Sequence, residues 1–200
     1  MRRASRPHTG TAEEILDIAQ DLIQTRGYSA FSYQDIADVL KIRKASIHYH
    51  FPAKTDLGIA VIDRYTKRFG EALAAIAADK DRASMDMLDR YVEPYLEFAR
   101  TADKVCLCGA LAGEMLALPS DLRSRVERFF KQHQAWLADI LERGAERGEF
   151  ALTDKPLRFA RLIFGALQGA LLVKRTTRDP SQLLDVVAAL KSQLAAAPAK

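Results

Sequence analysis

Two hundred residues exceed what one minimal domain needs and are enough to bury a substantial core. Thirty Lys and Arg against 26 Asp and Glu leave a net charge of only +4, so attraction to an anionic partner has to come from a local patch. Two cysteines, Cys106 and Cys108, are too few for a disulfide framework and stand two residues apart without a CxxC spacing, which favours a reducing, cytoplasmic setting.

Along the chain, strand signals are nearly absent and apolar residues recur at spacings of three and four, so the expected fold class is all-α. The opening MRRASRPHTG is basic but lacks the apolar run of a secretion signal, and no stretch approaches the ~20 uncharged apolar residues of a membrane span. A first helix is expected from Thr11, where Thr11-Ala-Glu-Glu14 reads as a capping box, to a left-handed stop at Gly27. Its apolar stripe is Ile15, Ile18, Ala19, Leu22 and Ile23. Ser32 can cap a second helix through Leu40 that buries Ile36, Ala37 and Leu40. A third, from about Lys44 to Phe51, is ended by Pro52. Three short helices, the last two joined by a tight turn, form a helix-turn-helix module.

A long helix from about Thr55 to Ala78 follows, then helices at about 84–100 (with Pro94 a kink), 104–118, 121–147, 155–176 and 180–197. Pro156 suits a first helical turn, and the alanine-rich end from Leu194 to Lys200 is expected to fray. The plan is about nine helices in two domains, 1–54 and 55–200.

The stretch KIRKASIHYHF, residues 41–51, carries three basic side chains, two histidines and two aromatic rings without an acid. A basic patch interleaved with aromatics suits nucleic acid. The pair His48-x-His50 could suggest a metal, but residues two apart diverge on a helix and no Cys, Asp or Glu ligand adjoins them. No metal, cofactor or catalytic nucleophile–base motif is expected.

Residues 40–57, L-K-I-R-K-A-S-I-H-Y-H-F-P-A-K-T-D-L, resemble the TetR-family pattern A-G-V-S-K-G-T-L-Y-Y-Y-F-P-S-K-E-D-L. Upstream, G-Y-S-A-F-S-Y-Q-D-I-A fits that family's G-Y-x-x-x-T-x-x-x-I-A. Further on, C-L-C-G-A-L-A-G-E at 106–114 is similar to a subgroup reading C-L-L-G-N-L-A-x-E. Lys41 replaces a turn glycine, Arg43 a capping serine and Ala45 a glycine, while His48 and His50 replace tyrosines.

The resemblance implies a ligand-responsive repressor that binds a palindromic operator in double-stranded DNA as a homodimer and is released by a small-molecule effector. It places Tyr33, Gln34, Lys44, Ala45, Ser46 and Tyr49 near bases or adjoining backbone, and His48, His50 and Lys54 against phosphate. Arg43 adds a potential phosphate contact. Chemically, Gln34 can pair with adenine and Lys44 with guanine acceptors. Tyr33 and Tyr49 could instead close over the module's core.

The effector pocket implied by the resemblance has candidate lining residues Tyr95, Phe98, Cys106, Met115, Phe129, His133, Trp136, Phe164 and Gln168, each also readable as plain core. A four-helix dimer interface would use Gly165, Ala166, Gly169 and Ala170, with Val186, Val187, Leu190 and Leu194 on the following helix; these could equally pack internally. Two other readings remain open: a redox or electrophile switch at Cys106, and a helical adaptor that binds DNA without sequence preference.

Overall fold

The computed structural model describes residues 8–194, the side chains of residues 8 and 9 excepted. Among the described residues there are nine α-helices and no strand. They are α1 (His8–Arg26), α2 (Tyr33–Leu40), α3 (Lys44–His50), α4 (Lys54–Ala78), α5 (Ser84–Ala99), α6 (Leu107–Ala112), α7 (Ser120–Glu146), α8 (Pro156–Thr177) and α9 (Ser181–Leu194). They divide into two compact units. The first ends at Thr66 and also holds Leu107–Val126; the second holds Lys67–Cys106 and the residues from Glu127 on. The chain therefore passes between units within α4, between Cys106 and Leu107, and within α7.

In the first unit, α1 packs on α2, α3 and α6. Ile15, Ala19, Ile23, Ile36, Ile47, Leu57 and Leu111 form its buried interior. Arg64 ties α4 to α1 by pairing with Glu13 at 2.9 Å and Asp17 at 2.8 Å. Arg125 pairs with Asp63 at 2.9 Å, joining α7's first turns to α4. In the second unit, α8 and α9 pack on each other and both pack on α5. Lys174 is enclosed there, its ammonium donating to the carbonyl of Phe98 in the last turn of α5 and to those of Thr101 and Ala102 just beyond it.

Several boundaries differ from expectation. Helix α1 starts at His8, so Thr11 lies inside it and the Thr11–Glu14 pattern is no N-terminal box; Gly10 is tolerated at a cost of about 1 kcal/mol. The expected 104–118 helix shrinks to Leu107–Ala112. Gly113, Glu114, Met115 and Ala117 instead donate to carbonyls three residues back, continuing as tight turns. Leu40 is only half-buried. The expected stretch beyond Leu194 lies outside the described residues. By length and composition α8 could cross a membrane, although it carries Arg158, Arg161, Lys174 and Arg175 and is no uncharged span. Its apolar side chains divide between the second unit's interior and an exposed edge.

Candidate nucleic-acid interface

Local chemistry builds the helix-turn-helix. Ser32 caps α2 in a full capping box: its hydroxyl accepts from the Gln34 N–H at 3.2 Å, and Asp35 accepts from the Ser32 N–H at 2.8 Å. The Ser32 N–H and the Ser32 hydroxyl, both donating to the Asp35 carboxylate at 2.8 Å, hold that carboxyl below its usual range. Helix α2 ends at Lys41 in the left-handed conformation, φ 55°, where a glycine would carry no steric cost. Arg43 sits at the N-cap of α3 and makes no side-chain cap bond, which leaves the guanidinium for other partners. Ile47 and Phe51 point inward, and Phe51 N–H closes on the Ile47 carbonyl at 2.8 Å.

The outward face of α3 carries Lys44, Ala45, His48 and Tyr49, all exposed, with Ser46 and His50 half-buried beside them. Tyr49 is 73% exposed, unusual for a ring that elsewhere in this unit is core. His48 Nδ1 donates to the Pro52 carbonyl at 3.1 Å. That bond fixes the neutral tautomer, so Nε2 is an acceptor and can donate to a phosphate only from the doubly protonated ring. Gln34 is exposed on α2, its amide donating to Asp38 at 2.6 Å, and must leave that partner to read a base.

Two of the expected DNA-contact residues are engaged inside the unit. Tyr33 is 8% exposed, donates its hydroxyl to the Phe51 carbonyl at 2.8 Å and packs edge-on against His48. Burial, with the Asp56 carboxylate and Tyr28 adding to it, raises its phenol to about 12. It closes the core and holds the end of α3, the alternative that the sequence left open for it. Lys54 donates to the carbonyls of Tyr28 and Phe31 and lies over both rings, 4.7 and 4.3 Å from their centroids. Burial lowers its pKa, and its ammonium is spent on backbone rather than held out for phosphate.

The expected effector residues lie mostly in the second unit. Tyr95, Phe129, His133 and Phe164 are buried, and Phe98, Trp136 and Gln168 are half-buried. A polar chain links four side chains: Gln168 Nε2 donates to Tyr95 Oη at 3.3 Å, Tyr95 Oη meets Tyr91 Oη at 3.4 Å, and Tyr91 Oη meets His133 Nδ1 at 3.1 Å. Aromatic rings wall it: Phe129 lies 4.1 Å and Phe69 5.6 Å from the His133 ring, and Trp136 stacks on Tyr91 at 5.4 Å. The Trp136 indole N–H is buried without a partner. Burial pulls His133 down to about 4 and pushes Tyr91 up. Met115 falls in the first unit, among the turns after α6. Tyr91 and Phe69 were missed, although Tyr91 stands one helical turn before Tyr95 on the same face. Cys106 is 2% exposed and Cys108 is buried too.

Of the small residues on α8, Gly165 is exposed and Gly169 half-buried, and open space surrounds both. Ala170, Val187 and Leu194 are buried within the chain, the internal packing that the sequence left open for them. Ala166, Val186 and Leu190 are half-buried. The exposed edge instead presents Leu162, Leu172 and Val173 on α8 and Leu184 on α9. Residues at 162, 165, 169, 172 and 173 share one face by helical spacing, a signal that the small-residue pattern alone obscures.

A capped helix-turn-helix with an exposed basic and aromatic second helix, followed by a larger all-helical part, defines a DNA-binding transcriptional regulator rather than an enzyme. The family description "Bacterial regulatory proteins, tetR family" matches residues 15–61, and "Tetracyclin repressor-like, C-terminal domain" matches residues 84–190. The chain belongs to the TetR family of transcriptional regulators. A TetR regulator from Legionella pneumophila is 31% identical, with 97% of this chain and 100% of that one covered and a TM-score of 0.84. A TetR-family regulator from Agrobacterium tumefaciens is 30% identical over 95% of this chain and 100% of its own, with a TM-score of 0.89. The transcriptional repressor NemR of Escherichia coli is 24% identical over 187 residues, 92% of this chain and 94% of its own.

Proposed function

We propose that the chain is a cytoplasmic repressor that binds a palindromic operator as a homodimer and is released by a small molecule. The observation that carries this reading is the outward face of α3, where Arg43, Lys44, Ala45, His48 and Tyr49 stand exposed on a helix whose opposite side, Ile47 and Phe51, is anchored in the core. Such a face enters a major groove: the cations meet phosphate, and Lys44 and the exposed Gln34 reach base edges. One seven-residue reading helix makes too few contacts for a specific site, so two copies about one DNA turn apart would share it. The exposed apolar edge formed by Leu162, Leu172, Val173 and Leu184 supports pairing through α8 and α9. The ring-walled chain from Gln168 to His133 supports an effector site in the second unit, because its half-buried Gln168 and unpartnered Trp136 N–H can still serve a guest. DNA and effector would then compete through a coupling free energy.

The burial of both cysteines favours this reading over a thiol switch. Operator release by an electrophile is expected to be absent, or unchanged in Cys106→Ser. The deciding experiment compares Gln34→Ala and Lys44→Ala with wild type across a panel of duplexes. Altered preference among sequences supports base reading; uniform weakening would favour an adaptor that binds DNA without sequence preference.

A further inference from the structure

The turn between α1 and α2 is gripped from both sides by side chains remote in sequence. The two oxygens of the Glu114 carboxylate accept from the Tyr28 N–H at 2.6 Å and the Ser29 N–H at 2.8 Å. Lys54 takes the other polarity, donating to the carbonyls of Tyr28 and Phe31. Gly27, at φ 97°, makes the approach feasible: a Cβ there would lie 2.4 Å from Glu114 Oε1. One anion and one cation thus satisfy four backbone groups of a short turn, with charge-assisted bonds that outlast neutral ones.

The position of Glu114 gives the clamp its interest. It follows α6, seven residues after the chain enters the first unit at Leu107, whereas the turn it holds leads directly into α2, which packs on α3. Any displacement of the α6 segment therefore reaches the reading helices through two hydrogen bonds. We propose that Glu114 is a positioning residue for DNA reading. Its carboxylate, with Lys54 opposite, clamps the α1–α2 turn so that α2 and α3 take their DNA-competent placement only while the α6 segment is docked. This rests on the regulator reading above. It assigns Lys54 to the clamp instead of to a phosphate.

The test uses the full chain and a duplex enriched by the wild type from a random-sequence library. Affinity is measured across salt concentrations for wild type, Glu114→Gln, Lys54→Met and the double variant, at temperatures where circular dichroism shows each fully folded. Amide exchange of Tyr28 and Ser29 is followed without DNA. Glutamine keeps the size of the side chain but turns one acceptor into a donor facing an N–H. The expected result is a loss of about tenfold in affinity for each single variant, a double variant losing less than the product of the two, and faster exchange at both amides. The salt slope stays unchanged in Lys54→Met, because no phosphate contact is removed. Should Glu114→Gln fail to fold, Glu114→Asp, which keeps the charge but is one methylene shorter, carries the same expectations. Affinity within twofold of wild type in Glu114→Gln, unchanged amide exchange, or a slope lower by about one in Lys54→Met overturns the proposal. Failure of the wild type to enrich any duplex would instead overturn the regulator reading on which it stands.

Discussion

His133 is a neutral imidazole enclosed by Phe129, Phe69, Tyr91 and Phe164, and burial lowers its pKa from 6.5 to about 4. Between those values the unfolded chain binds a proton that the folded chain refuses, so stability rises with pH through that window and falls on acidification. The shift corresponds to roughly 3 kcal/mol between pH 7 and pH 4. Urea midpoints at pH 7 and pH 5 are expected to differ in the wild type, with His133→Gln removing most of that difference; an equal difference in the variant contradicts the assignment. At Gly27 a side chain meets both a left-handed backbone and the Glu114 carboxylate. Gly27→Ala is expected to cost about 1–2 kcal/mol or more, read from the thermal midpoint.

At the scale of elements, α2 depends on its two ends. Ser32→Ala removes the hydroxyl half of the capping box and is expected to destabilise the chain by about 1 kcal/mol. Lys41→Gly relieves a left-handed lysine and is expected to stabilise it by up to about 1 kcal/mol, with unchanged DNA preference. Both features were legible in the sequence, because caps and turns are short-range chemistry: Ser32, Gly27, Lys41 and Pro156 act within a few residues of themselves. The apolar spacing of Ile36, Ile47 and Phe51 likewise separates the core side of the module from its reading side. What the sequence did not disclose is long-range. Glu114 ends a recognisable stretch, yet nothing local shows that its carboxylate seeks amides 85 and 86 residues away. The same distance hides why the helix stops at Ala112, why Lys54 turns inward and why Lys174 is buried. Tyr33 fell between the two cases, since an aromatic beside a cap serves equally as core or as contact until its hydroxyl is seen on the Phe51 carbonyl.

At the scale of the molecule, α8 carries four of the eight large apolar side chains left exposed among the described residues. Its edge leaves Leu162, Leu172 and Val173 in the open, joined by Leu184 of α9, while Ala170 and Leu171 fill the interior. Placing charges on that edge should not disturb the folded chain. The double substitution Leu172→Glu, Leu184→Glu is expected to give a folded monomer in sedimentation and to weaken operator binding by roughly a hundredfold through lost bivalency. A dimer that persists would place the interface elsewhere.

The central claim is sequence-selective DNA binding by α3 in a paired chain. Its most direct test is the affinity of the wild-type chain for an enriched palindromic duplex and for a scrambled duplex of equal length, titrated against salt. Two chains per duplex, a steep fall in affinity with salt and a preference for the palindrome of at least about a thousandfold are the predicted result. Equal affinity for both duplexes, or binding indifferent to salt, would contradict it.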